Sequence, residues 1–174
     1  MPAIQRVLLL ADTHGHLDER VATIAPGCDW IVHAGDIGGA GILERLGVAG
    51  AGVVAIVGNN DDAAHWPAAD LPLLATLPEQ ASIELPGGRL DVVHGHRQPA
   101  RDRHRRLRAR HSDAAAVVVG HSHRRAIDRD GLPWILNPGA AGRSRAYGGP
   151  GCLVLTAAGD GWVIEAHAFA PQRR

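Results

Sequence analysis

The chain contains no lysine; all eighteen of its basic residues are arginine. We read this as a bias of composition, not as mechanism. Aromatic residues are nearly as scarce, with four Trp, one Tyr and one Phe. That excludes a core built on rings, so Val, Leu, Ile and Ala must fill the interior. Cysteine is limited to Cys28 and Cys152, which do not make a disulfide framework; free thiols in a reducing compartment are expected. No apolar run approaches the roughly 20 residues of a membrane span. The apolar opening Ile4–Leu10 is too short for a signal peptide, lacks a small-residue cleavage site and runs straight into Asp12-Thr13-His14. A buried first strand explains it, and a cytoplasmic protein is expected. Net charge is absent too: eighteen acidic residues balance the arginines, so there is no bulk pull toward nucleic acid or membrane.

What is present is a length of 174 residues, enough for one domain, 1–174, with a real core. Short apolar runs bounded by Gly, Pro or polar residues read as buried strands: Val7–Leu10, Trp30–His33, Val53–Val57, Leu90–His94 and Ala116–Val119. Helix-length segments Leu17–Ala25 and Ala40–Leu46 separate the first three, predicting a parallel βαβ arrangement. A third helical stretch, Ala100–Arg110, precedes Ala116–Val119. Toward the end, Arg125–Asp128 and Trp134–Leu136 flank Asp130-Gly131, and Leu153–Thr156 and Trp162–His167 flank Gly159-Asp160-Gly161. Both pairs predict hairpins, so antiparallel strands should close the domain.

Eleven histidines are many for this length, and their placement matters more than their number. Asp12 and His14 follow the first run, Gly35-Asp36 the second and Gly58-Asn59 the third. His94-Gly95-His96 ends a later run, and Gly120-His121-Ser122-His123 follows Ala116–Val119. All lie at carboxyl ends of predicted strands, the edge where open α/β sheets bind ligands. Imidazoles, carboxylates and an amide oxygen suit Mn, Fe, Zn or Ni, and the lack of nearby Cys argues against a structural zinc site. Asp12, His14, Asp36, Asn59, His94, His121 and His123 are too many ligands for one catalytic ion with an open position. They suit two divalent ions about 3.5–4 Å apart, with Mn the first expectation. Asp36, alone in its segment and carrying two oxygens, is the natural bridge. Two such ions, less two carboxylates and a hydroxide, leave a positive centre that would draw a phosphoryl group.

Taken in order, Asp12-x-His14, Gly35-Asp36, Gly58-Asn59, His94-Gly95-His96 and Gly120-His-Ser-His123 resemble the calcineurin-like metallophosphoesterase superfamily. The later Asn137-Pro138-Gly139 and the length are similar to its small single-domain bacterial and archaeal phosphodiesterase branch. The resemblance implies an α/β fold: a β-sandwich of two mixed sheets flanked by helices, in four layers, α/β/β/α. It implies one ion held by Asp12, His14, Asp36 and His123, and another by Asp36, Asn59, His94 and His121. It also implies hydrolysis of a phosphate ester, by a phosphodiesterase or phosphatase. A non-catalytic scaffold is the alternative, since a eukaryotic relative of this fold serves chiefly as a subunit of a trafficking complex.

Relatives often carry His, or Cys in the small branch, after the metal-binding Asn. Here Asn60 stands there, followed by Asp61, and an amide cannot donate a proton to a leaving group. His16 and His96 are the candidates for that role, beside Asp36 as bridge. His33, His65, His104, His111 and His167 are read as ordinary. The run Arg101–Arg110 is the strongest local charge asymmetry; a nuclease groove is the sharp reading and a solvated helix face the plain one. Without interleaved aromatics for base stacking the plain reading is preferred. The expected partner is a small phosphoester, with nucleic acid not favoured, no membrane, and a homo-oligomer allowed. Arg143 and Arg145, in the loop after Asn137-Pro138-Gly139, are left open as substrate contacts.

Overall fold

The first strand is apolar on both faces because both faces are covered. In the computed structural model, which describes residues 3–47, 50–143 and 145–171, strand β1 spans Gln5–Leu10. Its Val7 and Leu9 join one core cluster while Leu8 and Leu10 join another. A residue such as Leu9, fully buried, makes Leu→Ala cost about 2–5 kcal/mol here.

Two five-stranded sheets stack. The first has the order β10-β9-β1-β2-β3, with β2 at Trp30–His33, β3 at Gly52–Ala55, β9 at Gly151–Ala158 and β10 at Gly161–Ala168. β1, β2 and β3 run parallel, and the β9–β10 hairpin adds antiparallel beside β1. The second has the order β4-β5-β6-β8-β7, with β4 at Gln80–Leu85, β5 at Gly88–Val93, β6 at Ala116–Val119, β7 at Ala126–Asp128 and β8 at Trp134–Asn137. Here β5, β6 and β8 are parallel, and β4 and β7 are antiparallel edges.

Val7, Leu9 and Val32 of one sheet meet Leu90, Val92, Val118 and Leu136 of the other in the central core. Outside the first sheet, Val21 of α1 (Glu19–Ala22) and Ile42 and Leu46 of α2 (Ala40–Gly47) cover Leu8, Leu10 and Ile31. The short α3 (Leu71–Leu74) adds to the same layer. Outside the second, α4 (Arg103–Arg110) lays Leu107 on Val117, Val119 and Ile135. The expected four-layer α/β/β/α sandwich is what forms. No helix among the described residues is long and apolar enough to cross a membrane.

Local differences have local causes. The helix expected over Leu17–Ala25 begins at Glu19, capped by the Asp18 carboxylate, and ends at Ala22. A short 3-10 turn carrying Pro26 follows over Ala25–Gly27, because proline cannot continue the helical hydrogen bonding. Along the basic stretch only Arg103–Arg110 is α-helical, entered by a 3-10 turn over Ala100–Asp102. There Arg105 pairs with Asp102 and Arg108 with Asp128.

Candidate metal centre

Each sequence cluster leaves the end of a parallel strand and folds back over the seam between the sheets. Asp12 donates its N–H to the Gly35 carbonyl, and His14 donates to that of Asp36. His94 donates Nδ1–H to the Ala34 carbonyl at 2.8 Å, which ties the second sheet to the first and leaves Nε2 facing the cluster. Asn137, at the end of β8, donates through Nδ2 to Gly120 O and Ser122 Oγ, both at 3.0 Å, fixing the loop that carries His121 and His123. Asp61 clamps two loops together: its carboxylate accepts from the backbone N–H groups of Ile37, Gly38 and Gly58 and from the Trp66 indole.

Two glycines are required by what passes beside them. Gly35 has φ of +95°, and a Cβ there would lie 2.6 Å from His94 Nδ1. At Gly58 a Cβ would collide with the Asp36 carboxylate. The turn after β3 therefore needs glycine for close approach, since its φ is not positive, whereas the turn at Gly35 needs it for both reasons.

The donor atoms stand at the separations of a shared coordination sphere. His14 Nε2 lies 3.3 Å from His123 Nε2 and 3.6 Å from Asp36 Oδ2, and His123 Nε2 lies 3.6 Å from Asp12 Oδ1. Asp12, His14, Asp36 and His123 thus place one ligand atom each within 4.8 Å of all the others. On the other side, His94 Nε2 is 3.4 Å from the same Asp36 Oδ2 and 3.1 Å from Asn59 Oδ1, with the His121 ring 5.3 Å from that of His94. Donors bound at about 2.0–2.1 Å to one tetrahedral ion stand about 3.3–3.4 Å apart. Asp36 Oδ2 is the atom common to both groups.

The electrostatics also fit cations. Asp12 is fully buried and its Oδ2 has no hydrogen-bond partner among the described residues; burial pushes its carboxyl up to about 7. Burial also works against ionisation of Asp36, but hydrogen bonds and charge from His94, with two hydrogen bonds from Asn60, hold it well below the usual carboxylate range. Burial lowers His14, and lowers His121 to about 4, leaving both neutral at pH 7 as ligands must be. His94 resists its burial because Asp36 faces it, and is held above its ordinary value. Among the described residues the non-glycine positions with φ between 46° and 68° are Asp12, His14, Asp36, His121, His123 and Arg145. Such backbone costs on the order of 1–3 kcal/mol per residue and persists where surrounding structure enforces it.

Of the seven expected ligands, Asp12, His14, Asp36 and His123 group together, Asn59 and His94 adjoin them through Asp36, and His121 is placed by its ring beside that of His94. The candidate proton donors separate: His96 is exposed, its ring 5.5 Å from that of His94 and 6.3 Å from that of His121. His16 lines neither of the two cavities beside the cluster. Sequence reasoning missed two roles. Asn60 donates its backbone N–H to Asp36 Oδ1 at 2.9 Å and its side-chain amide to Oδ2 at 2.8 Å. His65, read as ordinary, lines a cavity of about 380 Å³ with His14, Asp36, Gly38, Asn60, Asp61 and Arg145. The signal for Asn60 was its place beside Asn59; nothing local marked His65.

A model of the calcineurin-like phosphoesterase superfamily domain matches residues 6–160. Among solved structures, the fold is similar to vacuolar protein sorting 29 of Cryptosporidium parvum, with a TM-score of 0.74 at 17% identity, covering 96% of this chain and 98% of that one. An archaeal phosphodiesterase gives 0.71 at 19%, covering 93% and 99%. A predicted phosphoesterase of Streptococcus pneumoniae gives 0.69 at 20%, covering 97% and 91%. No curated protein matches by sequence. With that domain model spanning most of the chain, the chain belongs to the calcineurin-like phosphoesterase superfamily.

Proposed function

We propose that the protein hydrolyses phosphodiesters at a dinuclear centre held by Asp12, His14, Asp36 and His123 on one side and Asp36, Asn59, His94 and His121 on the other. The observation that carries this is Asp36 Oδ2, 3.6 Å from His14 Nε2 and 3.4 Å from His94 Nε2, one oxygen shared by two ligand groups. Divalent ions there, Mn first, would supply a bound water of lowered pKa and a positive clamp on phosphoryl oxygens. The chain's own residues do the rest. Asn60 orients the Asp36 carboxylate through both oxygens. The Ala34 carbonyl holds a His94 proton on Nδ1, so Nε2 would be the nitrogen that turns a lone pair to an ion once the ion displaces its proton.

With its amide turned to Asp36, Asn60 offers no proton to a leaving group. Esters with good leaving groups should therefore react best, because general-acid assistance is worth about 10²–10⁴ in rate. Metal analysis joined to a phosphoester panel with added Mn tests the reading. Aryl phosphodiesters should turn over fastest, with a steep negative dependence on leaving-group pKa. A shallow dependence that steepens in His96→Ala or His16→Ala would show a histidine donor and overturn the Asn60 argument. The fold likeness to vacuolar protein sorting 29 supports a second reading, a non-catalytic scaffold, which predicts no turnover of any ester in metal-loaded protein.

A further inference from the structure

Arg145 is the one left-handed non-glycine position among the described residues that is not an expected ligand. It lines the cavity of about 380 Å³ beside the cluster, whose walls include His14 and Asp36. The other polar walls are already engaged. Asp61 accepts three backbone N–H groups and the Trp66 indole. The Asn60 amide donates to Asp36, and His65 Nδ1 lies 2.7 Å from Asp62 Oδ1. The Arg145 side chain is exposed, and its guanidinium makes no hydrogen bond or ion pair to any described residue. A guanidinium carries five donors in a planar fork and no acceptor. Held over a cavity with its fork unspent, it awaits an anion with paired oxygens. Arg143, its near neighbour in the same loop and exposed like it, lines none of the cavities described, so cavity lining separates two arginines that sequence could not.

We propose that this cavity is the phosphoryl subsite, in which Arg145 holds a non-bridging oxygen of the phosphate ester against the Asp36 side of the centre. The proposal rests on the phosphoesterase reading and sharpens it. With two divalent ions, two carboxylates and a hydroxide the centre would carry one positive charge; Arg145 would make it two, matched to a tetrahedral oxyanion rather than to a neutral ester. The residue binds and positions, and no proton passes through it.

The test is calorimetric binding of inorganic phosphate to metal-loaded protein, with metal content measured in each sample. Arg145→Gln should weaken binding by about tenfold to a hundredfold, the range for losing a hydrogen-bonded charge. Arg145→Lys, which keeps the charge but loses the fork, should fall between Gln and the native residue. Arg143→Gln should bind as the native protein does. Equal phosphate affinity in native protein and Arg145→Gln at equal metal content overturns the assignment while leaving the phosphoesterase reading intact. Native metal-loaded protein that binds no phosphate overturns both.

Discussion

Two buried aspartates sit next to histidines in this molecule, and their surroundings are opposite. Asp91, on β5, accepts from Ser82 Oγ and Arg89 Nε, each at 2.8 Å, and lies 2.8 Å from His111 Nδ1. Its burial is outweighed by these partners, and its carboxyl is held below the ordinary value. Asp12 is buried at least as deeply, but one oxygen is orphaned, and burial drives its carboxyl up to about 7. A structural carboxylate is satisfied by the protein that surrounds it. Asp12 is left in deficit by the same protein, with an oxygen that a cation would meet, whereas Asp36 is satisfied by Asn60 and His94 and is set apart by the two histidine groups that share its Oδ2. Proximity of Asp and His is common to both sites and so does not distinguish them; the unmet acceptor does.

The largest expected effect lies within the cluster. Asp36→Ala should reduce hydrolysis to background, because both ligand groups share its Oδ2 and the water loses its activation. Asn59→Ala removes one neutral ligand from one side and should leave measurable turnover, lower by about 10- to 100-fold. Equal residual rates at matched metal content would break the bridge assignment.

The contrast between the aspartates can be tested by exchanging each for its amide. Asp12→Asn should strip metal from the protein while leaving the metal-free fold as stable as before or more so, since it removes a desolvated acid. Asp91→Asn should do the reverse, keeping metal content and losing about 1–3 kcal/mol of stability, because the amide keeps one acceptor oxygen but sets an NH2 against donors on the other side and removes the charge facing Arg89. Metal content and chemical denaturation of the two variants check this; the same pattern in both would erase the distinction.

A smaller effect follows from protonation. In the metal-free protein the Asp12 carboxyl, near 7, and the raised His94 carry protons that an entering ion must displace. Affinity for Mn should therefore rise with pH, by close to tenfold per unit well below 7 for Asp12 alone, and flatten above it. Titrations at pH 6, 7 and 8 measure it. A pH-independent affinity would mean that Asp12 is already ionised.

Much of the fold was legible because its central strands are buried on both faces. Trp30–His33 and Ala116–Val119 form at the expected bounds, and β1 lengthens only to Gln5. β4 was not singled out: it is an edge strand in which buried Ile83 and Leu85 alternate with polar Ser82 and Glu84, so it has no apolar run to announce it. The ligands were legible because each follows its strand within a few residues. Arg145 and His65 come from loops brought to the rim by tertiary packing, and Asp61 acts through backbone groups of other segments. Local pattern carries no trace of such contacts.

Anomalous diffraction from crystals of Mn-loaded protein would show directly whether Asp36 joins two ions. Two ion peaks about 3.5–4 Å apart are expected, with Asp36 between them, Asp12, His14 and His123 on one, and Asn59, His94 and His121 on the other. A single ion, or a pair that leaves Asp36 bound to one of them alone, would contradict it.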